Sequence, residues 1–229
     1  MTDRHTATLA AAVVIPALNA SRTLPPLVDS ILDRYPSLSV IVVDDGSTDG
    51  TGDSVGKHDR IVVLRHPVNL GKGMALRTAF DYARDRGLEL LVTMDADGQH
   101  DIESIGLFLK SHRLGPILIG DRMGAAHGMP WLRRLTNWTT SLFVSLLAGK
   151  KIRDSQSGFR LIHVSALGRL KLTTSRYDTE SEILIQAGRL GLAIGHLPVP
   201  TIYADGQSFI QPFRDTGLFL RLALRTIFM

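Results

Sequence analysis

Cysteine is absent from this chain of 229 residues. Its absence excludes disulfide frameworks, thiol catalysis and zinc sites built on thiolates. Any metal ion must therefore be held by carboxylates, by amides or by the eight histidines.

Long apolar runs are also missing. The longest mostly apolar stretch, residues 139–148, is far shorter than the roughly 20 residues that a membrane-spanning helix needs, so we expect no span. Near the N-terminus, Arg4 followed by the apolar residues 9–15 imitates a short signal peptide. The residues that follow are typical of a first strand and helix, and we therefore assign this segment to the fold.

The composition lacks the biases of fibrous, disordered or nucleic-acid-binding chains. The formal net charge is only +4, and no basic stripe is interleaved with aromatic residues, which argues against nucleic acid as a partner. Hydrophobic residues make up 44% and charged residues 21%, as in globular proteins, which excludes disorder. Because repeats and Pro/Gly/Ser linkers are also absent, we expect one continuous unit.

Short apolar runs alternate with segments of helical periodicity in the first half of the chain. The runs are rich in β-branched residues and end at polar turns, which predicts strands at 11–15, 38–43, 61–64, 89–94 and 116–119. Helices are predicted at 24–35, 50–56, 71–86 and 101–113. This alternation predicts an α/β fold whose mostly parallel, twisted sheet is flanked by helices. Ligands bind such sheets at the carboxyl ends of the strands, here the loops after Val43 and Met94.

The pattern changes after Gly120. Longer helices are predicted at 131–148 and 178–190, and further strands at 159–163 and 193–199. Residues 213–228 combine leucine and phenylalanine with three arginines, which predicts a basic amphipathic helix. Such a helix can lie in a membrane interface, pack on the domain or contact a partner subunit. We divide the chain into a domain, residues 1–212, and this C-terminal helix, residues 213–229.

A first polar cluster, DDGSTDGT at positions 44–51, follows a predicted buried strand. Asp44 and Asp45 can accept hydrogen bonds from the N–H groups of a base or from ribose hydroxyls. A solvated, capped turn explains the same residues, because Asp, Ser, Thr and Gly favour turns. Both interpretations are open on the residues alone.

A second cluster, DADGQ at positions 95–99, also lies at a predicted strand end. Alternate residues of an extended segment point the same way, so Asp95, Asp97 and Gln99 can converge on one point. Two carboxylates and an amide oxygen suit Mg²⁺ or Mn²⁺, with positions left open for phosphate oxygens. The alternative is a surface turn with unrelated acidic residues.

Basic residues form further candidate anion sites. Lys72, between two glycines where a helix opens, can face a phosphate or a nucleotide edge, although helix capping also explains the glycines. Arg122, Arg133 and Arg134 surround the start of helix 131–148, and their forks match phosphate oxygens. Asn137 lies one turn beyond Arg133. These residues could equally decorate a solvated helix face.

Together these motifs resemble the family-2 glycosyltransferases with the GT-A fold, and within them the dolichyl- and polyprenyl-phosphate sugar synthases. The resemblance runs from Val13 to about Pro212. The motifs that carry it are VIPALN at 14–19, DDGSTDGT at 44–51, NLGKG at 69–73, DADGQH at 95–100, GDR at 120–122, DSQSGFR at 154–160 and Tyr-x-Thr-Glu at 177–180. Their order and spacing make the set specific.

The resemblance implies a nucleotide-sugar site made of Pro16, Leu18, Asn19, Asp44, Asp45, Lys72, Asp95 and Ala96. Among these, Pro16, Leu18 and Asp44 would hold the base and the ribose. Asp95 and Ala96 would lie beneath the ribose and the diphosphate. It also implies that Asp97 and Gln99, helped by Asp95, bind the metal that bridges the donor phosphates.

The resemblance further implies that Arg122, Arg133 and Asn137 grip the phosphate of the acceptor. Asp97, Arg122, Arg133 and Asp154 would be the catalytic residues, and Asp154 and Arg160 would either support the residues that contact the substrates or lie on the side of the sugar. A polyprenyl phosphate has a second pKa of about 6, by analogy with phosphorylated side chains, so it is already ionised and needs no strong general base. Attack opposite the leaving group would invert the anomeric centre.

Departures from the family pattern leave the sugar open. Ala20 replaces an acidic residue of the relatives, and Gly98 replaces a leucine, which we expect to loosen the metal loop. The arginine that many mannosyl synthases carry before a C-terminal Gly-x-Ser is missing at 204–208, which weakens the case for mannose. The Gln-x-x-Arg-Trp signature of processive synthases is absent, which favours a single transfer.

The sequence therefore predicts an enzyme that moves one sugar from a nucleotide sugar of the GDP-mannose or UDP-glucose type to a polyprenyl phosphate. It would work at the cytoplasmic face of a membrane, as a peripheral protein in cell-envelope biosynthesis. One alternative is a glycosyltransferase that acts on a soluble or protein hydroxyl, with His100 or Asp154 as general base. Another is a non-catalytic nucleotide-binding module.

Overall fold

A computed structural model of the chain describes residues 9–123 and 131–200. Seven strands form one mixed sheet in the order β3-β2-β1-β4-β6-β5-β7. The strands are β1 (Ala11–Ala17), β2 (Ser39–Asp44), β3 (Ile61–Arg65), β4 (Leu90–Thr93), β5 (Ile117–Asp121), β6 (Arg160–His163) and β7 (Ile194–Pro198). The predicted C-terminal helix at 213–228 lies outside the described residues.

The sheet is mostly parallel, as the alternating pattern predicts. Parallel pairs join β1 to β2, β1 to β4, β2 to β3 and β5 to β7, and β6 runs antiparallel to both β4 and β5. The reversal at β6 was not predicted, because a buried apolar strand has the same residue pattern in either direction. It depends instead on where β6 is inserted in the sheet, between β4 and β5.

Helices cover both faces of the sheet. They are α1 (Leu24–Arg34), α2 (Thr51–Ser54), α3 (Lys72–Asp85), α4 (Glu103–Ser111), α5 (Trp131–Ala148), α6 (Val164–Leu167) and α7 (Asp178–Arg189), with a 3₁₀ turn at His112–Leu114. The predicted elements of the described part are confirmed with shifts of one or two residues at most ends. The 3₁₀ turn and α6 were missed, because three or four residues are too few to show a helical period.

The apolar core lies in two layers, one on each face of the sheet. Alternate residues of β1 belong to opposite layers, because successive side chains of a strand point to opposite faces. Val13 and Ile15 pack with α1 and α4, whereas Ala12 and Val14 pack with α3, α5 and α7. Strands buried on both faces explain the uninterrupted apolar runs in the sequence.

None of the helices within 9–123 and 131–200 has the length and apolar character needed to cross a bilayer. The result agrees with the lack of long apolar runs. The carboxyl ends of β1, β2 and β4 lie next to one another at one edge of the sheet, because these strands are parallel neighbours. The loops that carry the predicted site residues therefore meet at this edge.

Candidate active site

The loops after β1 and β2 are joined by hydrogen bonds between side chains and backbone. The Asn19 N–H donates to Ser47 Oγ (3.0 Å), and the Thr48 N–H donates to Asn19 Oδ1 (3.0 Å). The Ala20 N–H donates to Thr51 Oγ1 (2.7 Å). Asn19 has a φ of 51°, in the left-handed region that asparagine tolerates better than most residues. The polar residues at 44–51 thus build one rigid wall from two loops.

Asp44, a predicted ribose ligand, lies at the end of β2 and caps the turn that follows. Its carboxylate accepts hydrogen bonds from the Ser47 N–H (3.0 Å) and the Gly52 N–H (3.1 Å). These two hydrogen bonds cap the turn, as the capped-turn interpretation predicts. Asp44 itself is buried, whereas Leu18, directly after β1, is 44% exposed. Pro16, in the same strand, is half-buried.

Asp45 is turned toward the start of α3. It accepts hydrogen bonds from the Leu70 N–H (2.9 Å) and the Gly71 N–H (2.8 Å), and its Oδ1 lies 2.7 Å from Nδ1 of His66. The side chain is almost completely buried. The structure thus places Asp45 beneath the site as an anchor of the segment before Lys72.

Lys72 and Asp95, predicted separately as nucleotide-sugar ligands, form an ion pair. Lys72 Nζ lies 2.5 Å from Asp95 Oδ1 and 3.1 Å from Glu180 Oε2. Burial alone would lower the pKa of Lys72, but the charges of Asp95 and Glu180 outweigh burial and raise it. Burial opposes the charge on Asp95 as well, yet Lys72 and the hydrogen bond from His100 hold the pKa of Asp95 well below its usual range. Lys72 and Asp95 are therefore both charged at neutral pH. Lys72, Asp95 and Glu180 together are named the ion cluster.

Gly158 closes over the ion cluster. A Cβ at this position would lie 2.8 Å from Asp95 Oδ2 and 3.0 Å from Lys72 Nζ, so a side chain would displace the charged groups. The Gly158 carbonyl accepts a hydrogen bond from Thr93 Oγ1 (2.8 Å), which fixes the segment to the end of β4. The glycine of the family motif at 154–160 is thus required by close approach.

Arg160 supports this segment from inside the protein. Its guanidinium is completely buried and donates to the carbonyl oxygens of Ser155 (2.8 Å), Ser157 (2.8 Å) and Glu180 (2.7 Å). Burial lowers the pKa of Arg160, and the carboxylates of Glu180 and Asp154 act in the opposite direction. Arg160 therefore holds the loop before β6 against α7.

The predicted metal ligands lie in the turn after β4. Asp97 is exposed, and its Oδ1 accepts a hydrogen bond from the Gln99 N–H (3.0 Å). Gly98 between them has a φ of 71°, a conformation that suits glycine better than leucine, so this departure from the family pattern has a local cause. The buried ring of His100 packs 4.9 Å from that of Phe159, with Nε2 3.3 Å from Asp95 Oδ2.

The donor set fits a hard divalent cation that is shared with a substrate. Within the part of the chain that the structure describes, no group of three His, Cys, Asp or Glu residues could hold a metal ion alone. Mg²⁺ is commonly bound by one or two carboxylates together with water and substrate phosphates. The carboxylates of Asp95 and Asp97 and the amide oxygen of Gln99 are the donor types that such a partial shell uses.

Arg122 and Asp154, both predicted as catalytic residues, form a second ion pair. Arg122 donates from Nε to Asp154 Oδ2 (2.8 Å) and from Nη2 to Asp154 Oδ1 (3.0 Å). Asp154 is completely buried, and the Arg122 side chain is 18% exposed. This bidentate geometry fixes the direction of the guanidinium. Asp154 is placed to orient Arg122 and is shielded from solvent.

The remaining predicted acceptor ligands lie on α5. Asn137 is buried on the inner face of the helix. Arg133 belongs to the first turn of α5, and its side chain lies outside the described part of the structure. Glu180 is the site residue that the sequence analysis missed as a functional group. It was visible only inside the Tyr-x-Thr-Glu motif, and its partner Lys72 is 108 residues away.

We predict that breaking the buried pair is costly whereas breaking a surface pair is not. Asp154→Asn leaves the largely buried Arg122 without its counter-charge, so we expect the free energy of unfolding to fall by about 3 kcal/mol or more. Asp53→Asn, which breaks the exposed pair with Arg65, is the control and should leave the urea transition near that of the wild type. Equal, small changes in both variants would contradict this view of Asp154.

Comparisons with known proteins show the family of the chain. The sequence model described as "Glycosyl transferase family 2" matches residues 12–170. The undecaprenyl-phosphate mannosyltransferase of Micrococcus luteus is 30% identical over 81% of this chain and 81% of its own length. The UDP-N-acetylglucosamine–dolichyl-phosphate N-acetylglucosaminyltransferase of Methanococcus voltae is 31% identical over 84% of this chain and 86% of its own.

Among solved structures, the fold matches the glucosyl-3-phosphoglycerate synthase of Mycobacterium tuberculosis, crystallised with Mn²⁺, UDP and phosphoglyceric acid. The TM-score is 0.72 at 21% identity, over 96% of this chain and 78% of the other. At that identity the likeness concerns the fold alone, and it confirms the predicted GT-A architecture. Because the family match spans more than half of the residues and the relatives align over most of both chains, the chain belongs to glycosyl transferase family 2.

Proposed function

We propose that this protein transfers one sugar from a nucleotide-diphospho-sugar to a polyprenyl phosphate, with inversion at the anomeric centre. The observation that carries the proposal is the exposed Asp97 carboxylate next to the anchored Lys72–Asp95 pair, at the carboxyl ends of parallel strands in a family-2 chain. Relatives with about 30% identity act on undecaprenyl and dolichyl phosphates, which supports the choice of acceptor. The reaction would take place at the cytoplasmic face of a membrane.

The donor half of the site would use the wall formed by the loops after β1 and β2. Leu18 offers an exposed apolar surface for a nucleobase, with Pro16 beside it. Asp44 and Asn19 would then face the ribose, with their positions fixed by the hydrogen bonds that join the two loops. Lys72, held by Asp95 and Glu180, would provide a buried positive charge near the diphosphate.

Asp97 and Gln99, with Asp95, would hold a Mg²⁺ or Mn²⁺ ion. When bound, the ion would act as a Lewis acid on the diphosphate that leaves the sugar. Asp95 would keep its ion pair with Lys72. The carboxylate of Asp97 would then be the one exposed negative charge that the chain adds to a site whose other charges are already paired.

The acceptor half would use Arg122, Arg133 and Asn137. Asp154 fixes the direction of Arg122, so that the arginine is ordered before a substrate binds. The phosphate of a polyprenyl phosphate is ionised at neutral pH and attacks without losing a proton to the protein. The site then has to position that oxygen and offset its charge, which arginines do well.

A metal-dependent transfer to lipid is the first prediction of this proposal. Purified protein would be incubated with Mg²⁺ or Mn²⁺, polyprenyl phosphate and a panel of labelled UDP- and GDP-sugars, and the label extracted into organic solvent would be measured. We expect label from one donor, its loss with EDTA, and a decrease of at least about 100-fold in Asp97→Asn, because a ligand of the charge-stabilising ion is removed.

Asp85→Asn is the matched control, since Asp85 is exposed at the far end of α3. Its activity should equal that of the wild type. Release of nucleoside diphosphate only with a soluble acceptor would support the hydroxyl-acceptor alternative instead. Nucleotide binding without turnover of any donor would support the non-catalytic module.

Arg133 distinguishes a phosphate acceptor from a hydroxyl acceptor. We expect Arg133→Gln to raise KM for polyprenyl phosphate at least about tenfold with a smaller effect on KM for the nucleotide sugar, because one charge-assisted contact to the phosphate is lost. Lys110→Gln, which removes an exposed positive charge from the last turn of α4, is the control. Steady-state kinetics with a short-chain acceptor measures both constants. Unchanged kinetics in Arg133→Gln would exclude its role in phosphate binding.

A further inference from the structure

Helix α5 has an exposed apolar side. The outward positions follow the spacing 4, 3, 4 and 4, which places them in one row along the helix. They are Trp131, Leu135, Trp138, Leu142 and Leu146, and we name them the outer stripe. Trp131 is 76% exposed, Trp138 56% and Leu146 72%. The row extends over more than four turns of the 18-residue helix.

Such a stripe is a marker of an interaction surface. Single exposed leucines are common, but contiguous apolar patches on soluble proteins mostly belong to protein or membrane contacts. Tryptophan in particular favours sites where one side is apolar and the other is wet, such as the membrane interface. The chain has only two tryptophans, and both lie on the outer stripe.

The chain segment that carries the stripe contains charge of one sign. No acidic residue occurs between Asp121 and Asp154 in the sequence. Six basic residues lie in the same interval: Arg122, Arg133, Arg134, Lys150, Lys151 and Arg153. Arg134 is exposed beside the stripe, and Lys150, Lys151 and Arg153 are exposed just beyond the C-terminal end of α5. Exposed basic residues near an apolar surface attract anionic lipid head groups.

The opposite side of α5 belongs to the site. Asn137 and Ser141 are buried there, and Ser141 Oγ accepts a hydrogen bond from the Ser155 N–H (2.9 Å). Ser155 follows Asp154, which binds Arg122. The helix therefore separates the acceptor half of the site from the outer stripe by the thickness of one helix.

We propose that the outer stripe of α5 docks the protein on an anionic lipid surface, with the tryptophans at the level of the head groups. This inference deepens the proposed function and rests on it for the nature of the acceptor. The helix lies on the surface and does not cross it, since α5 is not apolar enough to span a bilayer. Docking there would place the acceptor half of the site at the membrane surface.

The charges favour a lipid over the other possible occupants. A second copy would bring a second set of exposed cations against Arg134, Lys150 and Lys151. The predicted helix at 213–228 carries three arginines of its own, so it lacks the complementary charge. An anionic lipid surface offers apolar chains for the stripe and negative charge for its rim.

Tryptophan fluorescence tests the docking directly, because both tryptophans report from the stripe. The full chain would be titrated with vesicles of equal parts phosphatidylcholine and phosphatidylglycerol, and with phosphatidylcholine alone. We expect co-sedimentation with the mixed vesicles, a blue shift of the emission and quenching by brominated acyl chains, all weakened by salt. Absence of co-sedimentation with an unchanged spectrum would overturn the proposal.

Substitutions in the outer stripe test whether this stripe makes the contact with the vesicle. Trp138→Ser and Leu142→Ser each remove an apolar side chain from the stripe and should reduce the vesicle affinity at least about tenfold. Leu114→Ser is the control, because Leu114 is 65% exposed on the 3₁₀ turn, away from α5. All three positions are exposed, so the variants should fold, and urea transitions would check this. An equal loss in Leu114→Ser would contradict a specific role of α5.

If a second copy or another part of the chain covers the outer stripe, different measurements change. A dimer in the absence of vesicles, measured by light scattering and lost in Leu142→Ser, would replace the lipid by a second copy. Tryptophans shielded from acrylamide in the vesicle-free monomer would show that another part of the chain covers the stripe. Either result overturns the proposal.

A short-chain, water-soluble polyprenyl phosphate separates this inference from the proposed function. We expect the stripe variants to keep wild-type turnover with this acceptor and to lose activity only with acceptor embedded in vesicles. Vesicle binding without sugar transfer to any lipid phosphate would refute the proposed function and leave the docking intact. Transfer to the soluble acceptor without vesicle binding by the wild type would refute the docking alone.

Discussion

The rest of the site depends on the ion cluster of Lys72, Asp95 and Glu180. Its members come from the start of α3, the end of β4 and the first turn of α7, which are far apart in the sequence. A charge that is largely removed from water is costly unless it is paired, so this pairing favours the meeting of the three elements. The close approach of Gly158 to this cluster then sets the path of the loop before β6.

The paired and the exposed residues have different places in the proposed function. The ion cluster and the Arg122–Asp154 pair are internal contacts, whereas Asp97 and Leu18 are exposed at the strand ends. In the proposed function, the donor half uses the short loops that follow the parallel strands. The proposed acceptor half lies against α5, whose inner face contacts Ser155 and whose outer face meets solvent.

Most of the fold could be predicted from the sequence, because the strands are continuous apolar runs and the long helices have a clear period. The direction of β6 could not be predicted, since it depends on the insertion of this strand between β4 and β5. The roles of single acidic residues could not be predicted from the sequence either. Asp45 anchors the start of α3 although it stands beside Asp44, and Asp154 is buried against Arg122, because each contact is made across the fold.

A double-mutant cycle between Lys72 and Glu180 tests most directly whether the ion cluster joins the start of α3 to α7. Lys72→Met, Glu180→Gln and the double variant would be unfolded in urea at neutral pH. If the cluster holds these elements together, the coupling energy between the two residues is about 0.5–3 kcal/mol, as for contacting residues in one network. Additive effects, with a coupling energy near zero, would contradict the account.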